Sequence, residues 1–280
     1  MSVSLMLIRN LTLAALAFAF AHAASAQAPS TPVQSAKPPA AAKKPAGRKP
    51  AAKPAAATES GPCRLGVISV LGDQLTVNKF GITVFEIEET EVTVQGWGLD
   101  DLVMARVRAA TGGDPTVRRV GYPRDAFEPY YHPKSRFLPD PKESLTSIVR
   151  DVTTNTNCAR YLVVTTFEGK IPGTNLVLKG IGAYNQGVGS VLRHSHLFAN
   201  VNITLVDGNS FERVSSFSAD TGARLAESMR IMEDPLNKLD NADFPDPLAA
   251  AASSVVLRER LRTLVAAKLD RDLPSYLKVE

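Results

Sequence analysis

From Leu65 onward, alternation of apolar and polar side chains divides the chain into short strands punctuated by Gly and Asp. Leu65 to Leu71, Leu75 to Asn78, Ile82 to Glu88 and Glu91 to Gln95 follow one another across turn formers such as Gly72-Asp73, the pattern of an antiparallel meander. The period then changes. Leu99, Leu102, Val103, Val107 and Ala110 share one helical face, and Gly112-Gly113 stops the run. A second helix is announced by Asp140-Pro141-Lys142-Glu143, where Asp140 can cap, Pro141 takes the first helical position and Glu143 can return a hydrogen bond to the cap. Its apolar stripe is Leu145, Ile148, Val149 and Val152. Next come strands at Tyr161 to Phe167 and Leu176 to Tyr184, and a long hairpin of His196 to Val206 with Ser210 to Phe217 across Asp207-Gly208-Asn209. A final helix from Asp246-Pro247 carries Leu257, Leu261, Leu264, Val265 and Leu269. Strands outnumber helices and do not alternate with them regularly. This predicts an α+β fold: one mixed, largely antiparallel sheet with about three helices packed on it.

Upstream of Leu65 the pattern is of another kind. Arg9 precedes an apolar run from Leu11 to Ala21, and Ala24-Ser25-Ala26 follows, which reads as a secretory signal peptide over residues 1–26 with cleavage after Ala26 or, alternatively, Ala23. The run is about half of the ~20 residues a membrane-spanning helix needs. No lipoprotein signature precedes Cys63, which follows Glu59-Ser60-Gly61-Pro62. Residues 27–59 are rich in Ala, Pro and Lys, cannot bury enough apolar surface to offset chain entropy, and are expected to form a disordered linker. Residues 60–280 are left as a single domain. The expected product is an exported chain without a transmembrane segment after signal cleavage, periplasmic or secreted.

The 280 residues include 32 basic and 28 acidic side chains, a formal charge of +4. Its location matters more than its sign. Residues 1–58 hold seven basic side chains and no acidic one, so the remainder has 25 basic against 28 acidic. A domain of slightly negative charge is a poor nucleic-acid binder, and that class is excluded. The Lys-Pro and Lys-Lys pieces of the linker have two readings: attraction to an anionic surface, or a solvated tether whose charges keep it soluble.

Cys63 and Cys158 each stand just before a β-branched apolar run, Leu65 to Leu71 and Tyr161 to Phe167. If the two strands are parallel neighbours the sulfurs meet, and an exported chain favours a disulfide; two separate thiols are the alternative. His194 and His196 lie two apart in a strand whose Leu197, Ala199, Val201, Ile203 and Leu205 face the core, so by parity the histidines, with Asn200 and Asn202, face the other side. Two imidazoles so placed can chelate a metal, with His132 as a third ligand; hydrogen-bonded surface histidines are the alternative. Tyr122 to Pro139 interleaves Tyr122, Phe127, Tyr130, Tyr131 and Phe137 with charged residues and three prolines. A loop of this length suits ligand binding through Tyr130, Tyr131, His132 and Arg124, by stacking on sugar rings or gripping a peptide; aromatic packing onto the domain is the alternative.

Other constellations fail. Gly180-Ile181-Gly182 runs within a strand, Gly-x-Ser-x-Gly is absent, and the Asp240, Asp243 and Asp246 spacing does not make a calcium loop. No motif implies a cofactor or a catalytic residue. Ala159-Arg160-Tyr161-Leu162-Val163-Val164, Gly180 to Tyr184, and Val201 to Val206 closing at Asp207-Gly208 resemble the order seen in envelope accessory proteins of the curli-secretion-channel and penicillin-binding-protein-activator type. That resemblance implies a sheet-and-helix domain used for protein contacts; the lipoprotein cysteine of those proteins is missing here. Val67 to Asp73, Trp97 to Leu102 and Lys238 to Asn241 are also similar to exported proteobacterial proteins of uncharacterised role. The expectation is a binding or accessory module contacting an envelope protein or polysaccharide. A metal-dependent hydrolase on His132, His194 and His196 is the competing expectation.

Overall fold

Strand β1 (Cys63–Ser69) is buried on both faces, with Leu65 and Val67 entering one core and Ile68 a second core on the opposite side. A strand apolar on both faces belongs inside a sheet, between parallel neighbours. The computed structural model places it there: β1 pairs in parallel with β4 (Val117–Arg119) on one side and β5 (Cys158–Thr166) on the other. β10 (Val201–Asp207) adds to β5 in antiparallel fashion, giving the order β10-β5-β1-β4. The structure describes residues 61–72, 74–81, 87–94, 96–135, 140–171, 174–187, 193–214 and 235–278. The expected signal peptide and linker lie outside these, as do 82–86 of the meander, 136–139 of the aromatic segment and 215–217 of the hairpin's second arm.

A second sheet is ordered β11 (Lys238–Leu239), β9 (His194–Ala199), β8 (Ile181–Gln186), β2 (Gln74–Phe80), β3 (Ile87–Thr93), antiparallel except for β2 and β8. β6 (Glu168–Lys170) and β7 (Val177–Lys179) form a small ribbon. Among the described residues three longer helices accompany the sheets: α1 (Leu99–Ala110), α3 (Leu145–Val152) and α4 (Val255–Leu277); α2 (Glu128–Tyr131) is a single turn. α1 and α4 pack into the main core with strands of both sheets, and α3 packs on the far side of the first sheet beside the disulfide. The α+β class is therefore what the structure shows, with mixed sheets and several helices.

Where the detail departs from the sequence reading, local chemistry explains it. The strands divide between two principal sheets instead of one, and β1 and β2 are not meander partners, because the chain turns at Gly72 (φ 69°) from one sheet into the other. Only the β2–β3 pair of the expected meander is antiparallel. The run from His196 to Val206 is likewise two strands. At Asn200 the main chain bonds to Phe167 and Gly180, and the side-chain amide donates to Leu178 O at 2.7 Å, so the chain leaves one ladder there and joins the other. Asp140 caps a 3-10 turn, accepting from Lys142 N at 2.9 Å; α3 itself is capped by Ser144, which accepts from Ser147 N at 3.3 Å. Glu143 turns away from that cap and accepts from Lys134 N, tying the aromatic segment to the start of α3.

Cys63 and Cys158 are register partners in β1 and β5 and form a disulfide. Beside them the Tyr161 ring lies over Gly66, where a Cβ would come within 2.6 Å of it, and Tyr161 Oη donates to Thr156 O at 2.6 Å. The bridge closes a loop 95 residues long, for which the loop-entropy contribution is about 4–5 kcal/mol. Replacing both cysteines by serine is expected to lower unfolding free energy by up to that amount, measured by denaturant titration. In the unmodified chain, thiol labelling after unfolding without reductant is expected to find no free sulfur, and two labelled cysteines contradict the bridge.

Candidate functional site

The chain leaving β1 at Ser69 reaches α1 on one face of the first sheet, whereas the chain leaving β4 at Arg119 runs through α2 to α3 on the other. Two adjacent parallel strands whose outgoing connections diverge leave a crevice at their carboxyl ends, the favoured place for ligands in sheets of this kind. A groove of about 930 Å³ occupies this position. Ser69 to Gly72 and Val120 to Tyr122 lie where the strands end, Asp100 comes from the first turn of α1, and Thr166 to Glu168 and Lys179 to Ile181 close the far side.

One wall is the aromatic segment. Phe127 is buried and anchors it, with Tyr122 packed edge-on against its ring at 4.9 Å. Tyr122 Oη donates to Ser69 O at 2.6 Å. Tyr131 Oη donates to Val70 O at 3.2 Å and accepts from Thr166 N at 3.1 Å and Thr166 Oγ1 at 3.3 Å, which bridges the ends of β1 and β5. Burial pushes the Tyr131 phenol above the ordinary tyrosine range, partly offset by those Thr166 hydrogen bonds, so it stays a neutral donor. Tyr130 is held edge-to-face on Tyr131 at 5.1 Å. Two aromatic pairs are thus fixed in orientation by hydrogen bonds to the strands they cover.

Charges of both signs surround the rings. Ser69 Oγ donates to Asp100 Oδ1 at 2.5 Å, and Arg119 bridges Asp101 Oδ1 at 2.5 Å and Asp100 O at 3.4 Å. Across the groove Lys179 pairs with Glu91 at 3.0 Å, and that carboxylate raises the lysine pKa. His132 Nε2 lies 3.6 Å from Glu128 Oε2, one helical turn away. Exposed Arg124 stands on the rim, and Phe167 is 41% exposed on the far side.

The four ligand-binding residues expected from sequence, Arg124, Tyr130, Tyr131 and His132, all line this groove. Ser69, Asp100, Arg119, Phe167 and Lys179 line it too and were not singled out. Their position at the ends of β1, β4, β5 and β7 or in the first turn of α1 is a signal that strand order alone exposes. The histidine pair is elsewhere. Neither His194 nor His196 lines the groove, and among the described residues no group of three or more His, Cys, Asp or Glu is placed to hold a metal ion.

His196 also departs from the surface position that parity suggested. Leu197, Val201, Ile203 and Leu205 do enter the main core, but the opposite face of β9 is covered as well. His196 is 8% exposed, stacked on Tyr184 at 5.2 Å, and Tyr184 packs with Phe80 and Phe198 in a third apolar cluster. Asn78, Tyr184 and His196 are cross-strand partners in β2, β8 and β9. The Asn78 amide, Tyr184 Oη and His196 Nδ1 are buried without a hydrogen-bond partner among the described residues. Burial raises the Tyr184 pKa to about 12 and lowers that of His196, with His194 and Lys238 adding repulsion to the charged imidazole.

Comparison with protein-family models, with curated proteins and with solved structures returns no match for this chain. The groove geometry therefore carries the functional argument.

Because folding lowers the His196 pKa, the unfolded chain takes up a proton first as pH falls. Stability is expected to be complete above the unfolded value of about 6.5 and to decline below it. Denaturant midpoints between about pH 7.5 and 5.5 are expected to fall in the unmodified chain and to flatten in His196→Phe. An identical slope in the two proteins contradicts the buried neutral imidazole.

Proposed function

We propose that the protein is an exported, periplasmic binding or accessory module of the cell envelope, and that it receives its ligand in the groove at the carboxyl ends of β1 and β4. The observation that carries this reading is the groove itself: a crevice at a topological switch, with aromatic rings locked in place and charges of both signs around them. Its volume falls in the ~300–1,000 Å³ range of sites that enclose a small ligand or a segment of a larger one. Rings fixed before binding cost little entropy to engage, which favours affinity without large motion.

Compartment and chemistry support the same reading. The Cys63–Cys158 disulfide suits an oxidising environment, and among the described residues no helix is long and apolar enough to cross a membrane. The leader and the Ala/Pro/Lys-rich stretch at 27–59 read as export followed by a tether. In the groove the carboxylate of Asp100 accepts from Ser69 and the imidazole of His132 stands beside Glu128, two polar pairs set among the aromatic rings. Binding is the function this geometry performs best.

A photo-crosslinking amino acid at position 130, in full-length chain expressed in its own envelope, is expected to yield a discrete adduct. The same probe at Val255, 61% exposed at the start of α4, is the control and is expected to yield none. Equal yields at both positions, or no adduct at 130, contradict the groove as the site of engagement.

A further inference from the structure

The inference drawn here rests on the groove being the binding site and names the chemistry of its occupant. We propose that the groove binds an uncharged oligosaccharide.

An extended peptide captured by strand addition needs a row of unpaired main-chain N–H and C=O groups. At the ends of β1 and β5 the chain already uses several of them. Ser69 O accepts from Tyr122 at 2.6 Å and Val70 O from Tyr131 at 3.2 Å, while Val70 N donates to Val164 O at 2.8 Å. Val120 N donates to Val67 O at 2.9 Å, Thr166 N to Tyr131 Oη at 3.1 Å and Phe167 N to Asn200 O at 3.0 Å. The tyrosines that shape the wall thus cap the strand ends they cover. Recognition is left to side chains.

Tyr130 is half-buried on its Tyr131 support, and Phe167, 41% exposed with Lys268 Nζ 5.8 Å from its ring centre, lines the same groove. Aromatic faces of this kind receive the apolar C–H face of a sugar ring. Around them stand the guanidinium groups of Arg119 and Arg124 and the carboxylates of Asp100 and Glu128; Arg119 already bonds Asp101 and Asp100 O, Asp100 accepts from Ser69 and Glu128 lies beside His132, so recognition falls to the further donors and lone pairs of these many-sited groups. Hydroxyl groups of a sugar donate to the carboxylates and accept from the guanidinium groups in pairs. Because both signs are interspersed, the lining selects no strongly charged polymer.

Gly121 also lines the groove, its backbone is not in the left-handed region, and a Cβ built on it would meet no atom within 4 Å. Neither backbone conformation nor packing requires glycine there. A bare main chain between Val120, whose N–H is bonded to Val67 O, and Tyr122, whose hydroxyl caps Ser69 O, keeps the wall low, which a flat ring system lying against it needs.

The test uses the full chain and a panel of neutral trisaccharides, those of β-1,4-linked N-acetylglucosamine, β-1,4-linked glucose and α-1,4-linked glucose, read by saturation-transfer NMR and calorimetry. At least one is expected to bind. Tyr130→Ala is expected to weaken it by about tenfold or more, and Gly121→Leu to remove binding with the thermal midpoint changed by only a few degrees. Val255→Ala is the control that leaves binding intact. The proposal is overturned if no trisaccharide binds at millimolar concentration, if both groove variants bind as the unmodified chain does, or if an extended neutral peptide occupies the groove while the sugars do not. Absence of sugar binding alongside a discrete crosslink at position 130 overturns the ligand class and leaves the groove as the site. Loss of both results removes the groove reading as well.

Discussion

The parallel pairing of β1 with β5, fixed in register where Cys63 meets Cys158, is the constraint on which the rest of the structure depends. Because β1 is apolar on both faces it has to lie inside a sheet, and because β5 occupies one side, the returning chain places β4 on the other. The connections then have nowhere to go but opposite faces. α1 covers one and α3 the other, and each brings its own cluster of buried side chains. A covalent bond at the start of both strands keeps Cys63 and Cys158 together in the unfolded as well as the folded chain, which narrows the states folding has to search.

What opens at the other end of the same strands follows from that topology. Diverging connections leave a crevice, and a crevice exposes strand ends whose main-chain groups would otherwise remain unsatisfied. Tyr122 and Tyr131 meet the need by donating to Ser69 O and Val70 O. The same two hydrogen bonds fix the rings in place, so that satisfying the backbone and preorganising a binding wall are one event. Glu143 adds a third tie by accepting from Lys134 N, which links the far end of the aromatic segment to α3. The groove is therefore a rigid feature of the fold, built by local hydrogen bonding on an architecture set from the opposite edge.

How much of this was legible in the sequence depends on the range of the interaction concerned. Cysteines opening two apolar runs predicted both the bridge and the neighbouring strands, because a disulfide turns a local pattern into a long-range contact. The stripes of α1, α3 and α4 were readable from their spacing, although Ser144 took the capping position expected of Asp140, and α4 starts at Val255 behind a Ser254 cap instead of at Asp246-Pro247. The aromatic segment was visible as a long loop of unusual composition, and all four of its proposed ligand-binding residues came together. Strand partners were harder. Nothing local in Leu75 to Asn78 distinguishes a hairpin partner of β1 from a strand of another sheet, and nothing local in Phe198 to Asn202 announces a change of sheet. For His196, alternation correctly identified the core face but could not show that the second face is covered by Tyr184 and its apolar neighbours. Ser69, Asp100, Arg119 and Lys179 were invisible as a group because they are far apart in the chain and meet only through strand order.

Hydroxyl-radical footprinting of the full chain, comparing the protein in its envelope with the purified form, tests most directly whether the crevice at the ends of β1 and β4 is the surface the protein uses. The account predicts protection at Tyr122, Tyr130, His132 and Phe167, with the outward residues of α4 unchanged. Protection on α4 or another face, with those four positions equally reactive in both states, contradicts it.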